Sequence, residues 1–161
     1  MGRTKWLDAQ EDRAWRGYRR LRTLLDLQLA RDLMRDSGLS EPDYDVLSNL
    51  SEAPGQQMRL TELAAWMQWS KSRLSHHITR MQQRGLVDRE ECPGDGRGSV
   101  LVLTQAGLRA IKEAAPLHVA SVRRHLIDLL TRDELATLEA ITHRVAARLA
   151  EDADDPAALG K

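Results

Sequence analysis

Between Leu63 and Val87 the chain runs for 25 residues without an aspartate or glutamate, and within that stretch stand Lys71, Arg73, His76, His77, Arg80 and Arg84. The chain as a whole balances 24 acids against 24 bases, so the neutral total hides a local cationic patch. A surface that gains from cations and lacks carboxylates is suited to approach phosphates. At 100° per residue on a helix, Arg73, His76, His77, Arg80 and Arg84 fall within about 100° of one another. Ser72, Ser75 and Thr79 flank them, while Leu74, Ile78 and Met81 form a separate apolar stripe. Arg73 and the two histidines are the candidates for base edges in a major groove. Lys71, Arg80 and Arg84 are the candidates for phosphate, with Ser72 and Ser75 beside them as hydroxyl partners. The alternative is an ordinary solvated face.

A second constellation favours the nucleic-acid reading. Asp95-Gly96-Arg97-Gly98 sets one arginine between glycines, with a carboxylate two residues earlier. Such an arginine at a loop tip can enter a minor groove, where the potential is most negative over narrow A·T tracts.

The elements that must position these groups follow from periodicity and punctuation. Trp15, Tyr18, Arg22, Leu25, Leu29 and Leu33 predict a long amphipathic helix over 8–36, ending at Ser37-Gly38. Ser40 with Pro42 starts a second helix through Tyr44, Val46, Leu47 and Leu50, stopped before Pro54-Gly55. Thr61 can cap a short third helix, and Ser70 a fourth running to Arg84 with Gly85 as its stop. Two short helices in succession suggest a helix-turn-helix. Leu86–Glu91 and Ser99–Leu103 read as a hairpin around the turn-rich segment from Cys92 to Gly98. Thr104 caps a fifth helix with apolar positions as far as Leu129, bent near Pro116. Thr131 and Glu134 open a sixth as a capping box. The tail from Ala150 to Lys161 is acidic and linker-like, and is expected to fray. The expected fold is therefore mainly α with a small β-hairpin. A winged helix-turn-helix lobe at 40–103 joins a helical lobe built from 8–36 and 105–150, all within a single 1–161 domain.

Composition narrows the function. The chain has 161 residues, 42% of them apolar, with no phenylalanine, which favours a core of Leu, Ala, Val, Ile and Met. No apolar run reaches the roughly 18 residues needed to cross a bilayer, and the charged start has no secretory core, so no membrane partner and a cytoplasmic location are expected. There is no Ser-His-Asp framing, no phosphate loop after a strand and no pair of carboxylates in an apolar setting, so an enzyme is not expected and no cofactor is implied. The one cysteine, Cys92, has Glu90 and Glu91 beside it, which disfavours a thiolate, and is read as structural rather than redox-sensing. His118, His125 and His143 lack the i, i+4 spacing of helical zinc ligands, and no metal site is expected.

The chain from Leu39 to about Leu149 resembles the multiple-antibiotic-resistance regulators, the MarR family of dimeric winged helix-turn-helix transcription factors. The resemblance rests on Leu60-Thr61-Glu62-Leu63-Ala64, Ser70-Lys71-Ser72-Arg73-Leu74-Ser75, Arg84-Gly85-Leu86-Val87-Asp88-Arg89, Asp95-Gly96-Arg97 and Leu103-Thr104-Gln105-Ala106-Gly107. It implies that the helix from Ser70 to Arg84 reads the major groove of double-stranded DNA. It implies too that Arg97 is the wing-tip minor-groove arginine, oriented by Asp95, and that the first, fifth and sixth helices form a homodimer. Independently, those helices carry more apolar surface than a lone lobe could hide. Recognition helices about 34 Å apart would then call for a near-palindromic operator. The resemblance further implies repression released by a small aromatic or anionic effector in a pocket walled by the first, second and fifth helices. Trp15, Tyr18, Tyr44 and His118 suit such a ligand, and the alternative is that they are core or interface residues. The competing reading of the whole chain is a winged-helix module that binds protein and not DNA; it would not need the acid-free stretch.

Overall fold

The computed structural model describes residues 4–91 and 98–154. Six α-helices and a three-stranded antiparallel sheet follow in the order α1 (Ala9–Ser37), α2 (Glu41–Glu52), β1 (Gln57–Arg59), α3 (Leu60–Trp66), α4 (Lys71–Gln83), β2 (Val87–Glu91), β3 (Ser99–Leu103), α5 (Gln105–His125) and α6 (Arg132–Asp154). This is the mainly α class read from the sequence.

The helix ends explain themselves locally. Asp8 accepts the Gln10 and Glu11 amides at 2.8 and 2.9 Å, while Glu11 accepts the Asp8 amide at 2.9 Å, a capping box that starts α1. Gly38 closes α1 at φ +69°, a left-handed cap that suits glycine. Ser40 and Asp43 make the same reciprocal pair at the start of α2. Ser70 accepts the Arg73 amide at 3.2 Å and so opens α4, as expected, whereas the cap of α3 is Arg59 and not Thr61.

The sheet order is β1-β3-β2, with Met58 opposite Leu101 and Val87 opposite Leu103. The sequence suggests only the β2–β3 hairpin. Three residues with no alternating pattern give β1 no signal of their own, and it exists through pairing with β3. The fifth helix also stops earlier than expected, at His125, with a 3-10 turn over Ile127–Leu129, and α6 extends past Ala150 to Asp154.

By its internal contacts the chain divides into residues 1–121 and 122–161. The core lies in the first unit. Val46, Leu47 and Leu50 of α2, Leu63 of α3, Leu74, Ile78 and Met81 of α4, and Val87 and Leu101 of the sheet are all fully buried. Thr104 fastens the start of α5 to the turn after α4: its hydroxyl donates to the carbonyl of Gly85 at 2.7 Å and lies 3.0 Å from that of Leu86, and it accepts the Gly107 amide at 2.9 Å. Gly107 sits so close that a Cβ there would fall 2.1 Å from the Leu86 carbonyl oxygen. In the second unit, Thr131 and Glu134 form the expected capping box of α6. Ile141, Val145 and Leu149 of that helix are exposed.

Candidate nucleic-acid interface

α4 has two unlike sides. Leu74, His77, Ile78 and Met81 are buried, whereas Lys71, Ser72, Arg73, His76 and Arg80 face solvent, with Ser75 half-buried. Its first turn carries no acid, so the positive end of the helix dipole is left unopposed there.

Two residues expected on the cationic face have partners within the lobe. His77 is only 6% exposed, its Nε2 lies 3.1 Å from Asp43 Oδ1, and its ring meets the Trp69 ring edge-on at 5.7 Å. Arg80 Nη2 is 3.1 Å from His77 Nδ1; since an arginine can only donate, Nδ1 is the acceptor there. Its place inside the lobe rules His77 out as a base reader. Arg84 is likewise committed: its Nη1 donates to Asp43 Oδ2 at 2.7 Å, and its Nη2 lies 3.5 Å from the Gly38 carbonyl. It ties the end of α4 to the start of α2, while its side chain keeps 44% exposure.

Asp43 is the hub of this arrangement and was not singled out in the sequence. It is 3% exposed. Burial alone would raise its pKa, but His77, Arg84 and the Ser40 amide and hydroxyl hold the carboxyl well below the usual carboxylate range.

Two further contacts shape the face. The Arg73 guanidinium stacks on Trp69, with Cζ 3.7 Å from the ring centre. From β2, Arg89 Nη2 donates to the Ser75 hydroxyl at 3.1 Å. Thr61, Lys71, Ser72, Ser75, His76, Arg89 and Ser99 line a cleft of about 440 Å³ with Leu60. Arg89, Thr61 and Ser99 were not read as site residues, because their elements meet α4 only in the fold. Asp95, Arg97 and Cys92 lie outside the described residues, between the paired ends Glu91 and Ser99.

The four candidate effector residues fall into two pairs. Trp15 and Tyr18 stack at 6.0 Å and are half-exposed on α1. Tyr44 and His118 bring α2 and α5 together at 4.5 Å between ring centres, and His118 Nδ1 is buried with no hydrogen-bond partner among the described residues. Burial, with Asp45 and Glu52 nearby, raises the Tyr44 pKa. Among the described residues no group of three or more His, Cys, Asp or Glu could hold a metal ion, and no helix is long and apolar enough to cross a membrane.

Residues 37–98, which span α2 to the wing, match the model of the MarR family. The transcriptional regulator HosA of Escherichia coli O111:H- is 32% identical over 103 residues, which cover 63% of this chain and 74% of that protein. The chain belongs to the MarR family. Among solved MarR structures, AbsC from Streptomyces coelicolor, a transcriptional regulator, superposes with a TM-score of 0.86 at 46% identity, over 92% of this chain and 99% of that one. Sco3205, a MarR regulator of the same organism solved in complex with DNA, gives 0.84 at 40% identity, over 89% and 90%. The named relatives are transcriptional regulators. The stretch that matches the MarR model holds the acid-free helix and the Asp43 hub.

Proposed function

We propose that the protein is a homodimeric, sequence-specific regulator that binds double-stranded DNA through α4 and the wing. One observation carries this reading. Among the described residues, the side of α4 left open is the cationic one, with Lys71, Ser72, Arg73, His76 and Arg80 outward and the apolar stripe fully buried. Arg73 and His76 meet base edges, Lys71 and Arg80 meet phosphates, and Arg97, oriented by Asp95, enters the minor groove. The DNA complex of Sco3205 supports the partner class.

Exposed apolar side chains support the dimer: Trp15, Tyr18, Leu21 and Leu24 on α1, Leu117 and Val119 on α5, and Ile141, Val145 and Leu149 on α6. Two recognition helices would then meet a near-palindromic operator. The protein acts as a cytoplasmic repressor, released when a small aromatic or anionic effector engages Tyr44 and His118, with Trp15 and Tyr18 as further contacts.

Selection of bound DNA from a random pool, with and without candidate aromatic acids, tests the reading. One enriched near-palindrome is expected, and Arg97→Ala and Arg73→Ala should each weaken binding to it by about 1 to 3 kcal/mol. No enriched sequence, or a partner interaction insensitive to salt, would instead favour a protein-binding module.

A further inference from the structure

We propose that Trp69 is a positioning residue for base selection: its indole holds the Arg73 guanidinium in a fixed plane before DNA arrives. The inference rests on the reading of α4 as a major-groove helix. Trp69 lies just before the Ser70 cap, four residues ahead of Arg73, and presents its ring face to that guanidinium with Cζ 3.7 Å from the ring centre. The arginine–tryptophan pair on α1, Arg19 over Trp15, stands at 6.0 Å, the outer limit of such contacts.

A stacked guanidinium keeps its function. The contact uses the π face, whereas all five N–H donors lie in the plane and point outward, free for the two acceptors of a guanine edge. What the stack removes is rotamer freedom, which an unrestrained arginine would lose only on binding. An arginine fixed beforehand also discriminates better, because it cannot swing to a neighbouring base or phosphate.

The tryptophan is itself held in place. Its ring meets the buried His77 edge-on, and His77 abuts Asp43. Its amide donates to the Ala64 carbonyl at 2.9 Å. The preceding residue, Gln68, adopts φ +53° and is secured by its own side-chain bond to the Ala65 carbonyl at 2.8 Å. The turn between α3 and α4 thus delivers the indole to one place, wedged between a buried ring and an exposed cation.

The test uses the full chain with Trp69→Met, which keeps apolar bulk without a ring face, Trp69→Phe, which keeps a ring, Arg73→Ala, and the double variant Trp69→Met/Arg73→Ala. Competition binding is measured against single-base variants of the selected DNA. At the base whose preference Arg73→Ala abolishes, Trp69→Met should lower discrimination roughly two- to five-fold, with the other positions unchanged. Trp69→Phe should restore most of it, and Trp69→Met should add nothing once Arg73 is alanine. In the free protein, the Arg73 side-chain proton resonances should lie upfield under the indole ring current and move toward ordinary values in Trp69→Met. Ordinary Arg73 resonances in the wild type would overturn the proposal even if no Trp69 variant folds. So would an equal loss at every base, unchanged discrimination, or a loss that persists in the double variant. If the wild type enriches no sequence, or Arg73→Ala alters no base preference, the groove reading itself has failed, and the proposal falls with it.

Discussion

α4 and α6 carry apolar stripes at similar helical spacing, and the fold treats them in opposite ways. Leu74, Ile78 and Met81 of α4 have no exposure, while Ile141, Val145 and Leu149 of α6 are 45%, 51% and 62% exposed. A helix whose apolar side is satisfied by its own lobe is free to use its polar side, and in α4 that side is cationic. A helix whose apolar side is bare has its function on that side, because exposed apolar rows mark contact surfaces. The contrast supports the proposed division, with DNA contact on α4 and subunit pairing on α6.

The comparison breaks most sharply in the two stripes themselves. Ile78→Ala should cost about 2 to 5 kcal/mol of unfolding free energy, since it opens a cavity in a close-packed core. Val145→Ser should leave the fold of each subunit intact, with helical content unchanged, and shift the assembly toward monomers in sedimentation at micromolar concentration. Equal effects of both changes on unfolding, with no change in assembly, would refute the division of labour.

A smaller effect separates the polar side of α4 into working and structural cations. Asp43→Asn should cost about 1 to 3 kcal/mol, because it removes the charge that His77 and Arg84 face. The pH dependence has a definite sign. The Asp43 carboxyl is held below its unfolded value, near 3.9, so its contribution is fully present above that value and is lost as pH falls toward the folded pKa. Below about pH 4 the wild type should therefore lose melting temperature more steeply than Asp43→Asn. Parallel curves would show that the carboxylate contributes nothing as an ion.

How much of this was legible in the sequence depends on range. Ser40, Ser70 and the Thr131–Glu134 pair announce helix starts because caps act within three residues. The acid-free stretch and the periodic spacing give α4 its two sides. His77 departs from the expected face because it lies at the edge of the cationic cluster nearest the apolar stripe, whereas Arg84 keeps its place on that face and is engaged by a distant carboxylate. Asp43, 41 residues before Arg84, contacts both, and those contacts exist only in the fold. Trp69 is silent in the sequence for a related reason: it precedes the helix cap, so helical periodicity does not place it beside Arg73. Arg97 and Asp95 are legible as a glycine-framed motif, and their role stays with the proposal.

The finest test compares two cations of the same helical segment. Lys71 is exposed, stands in the first turn of α4, and lines the cleft with Ser72 and His76. Arg84, the C-cap, is held by Asp43 at 2.7 Å. If Lys71 meets a phosphate, Lys71→Ala should weaken binding nearly equally for all DNA sequences. It should also reduce the slope of log affinity against log salt by about 0.9 for each phosphate that is no longer neutralised. Arg84→Gln should leave that slope close to the wild-type value and act through stability instead, visible as a lower melting temperature without DNA. A salt slope that falls as much for Arg84→Gln as for Lys71→Ala would mean that Arg84 leaves Asp43 to reach DNA, and the boundary between reading and holding would then lie further around the helix.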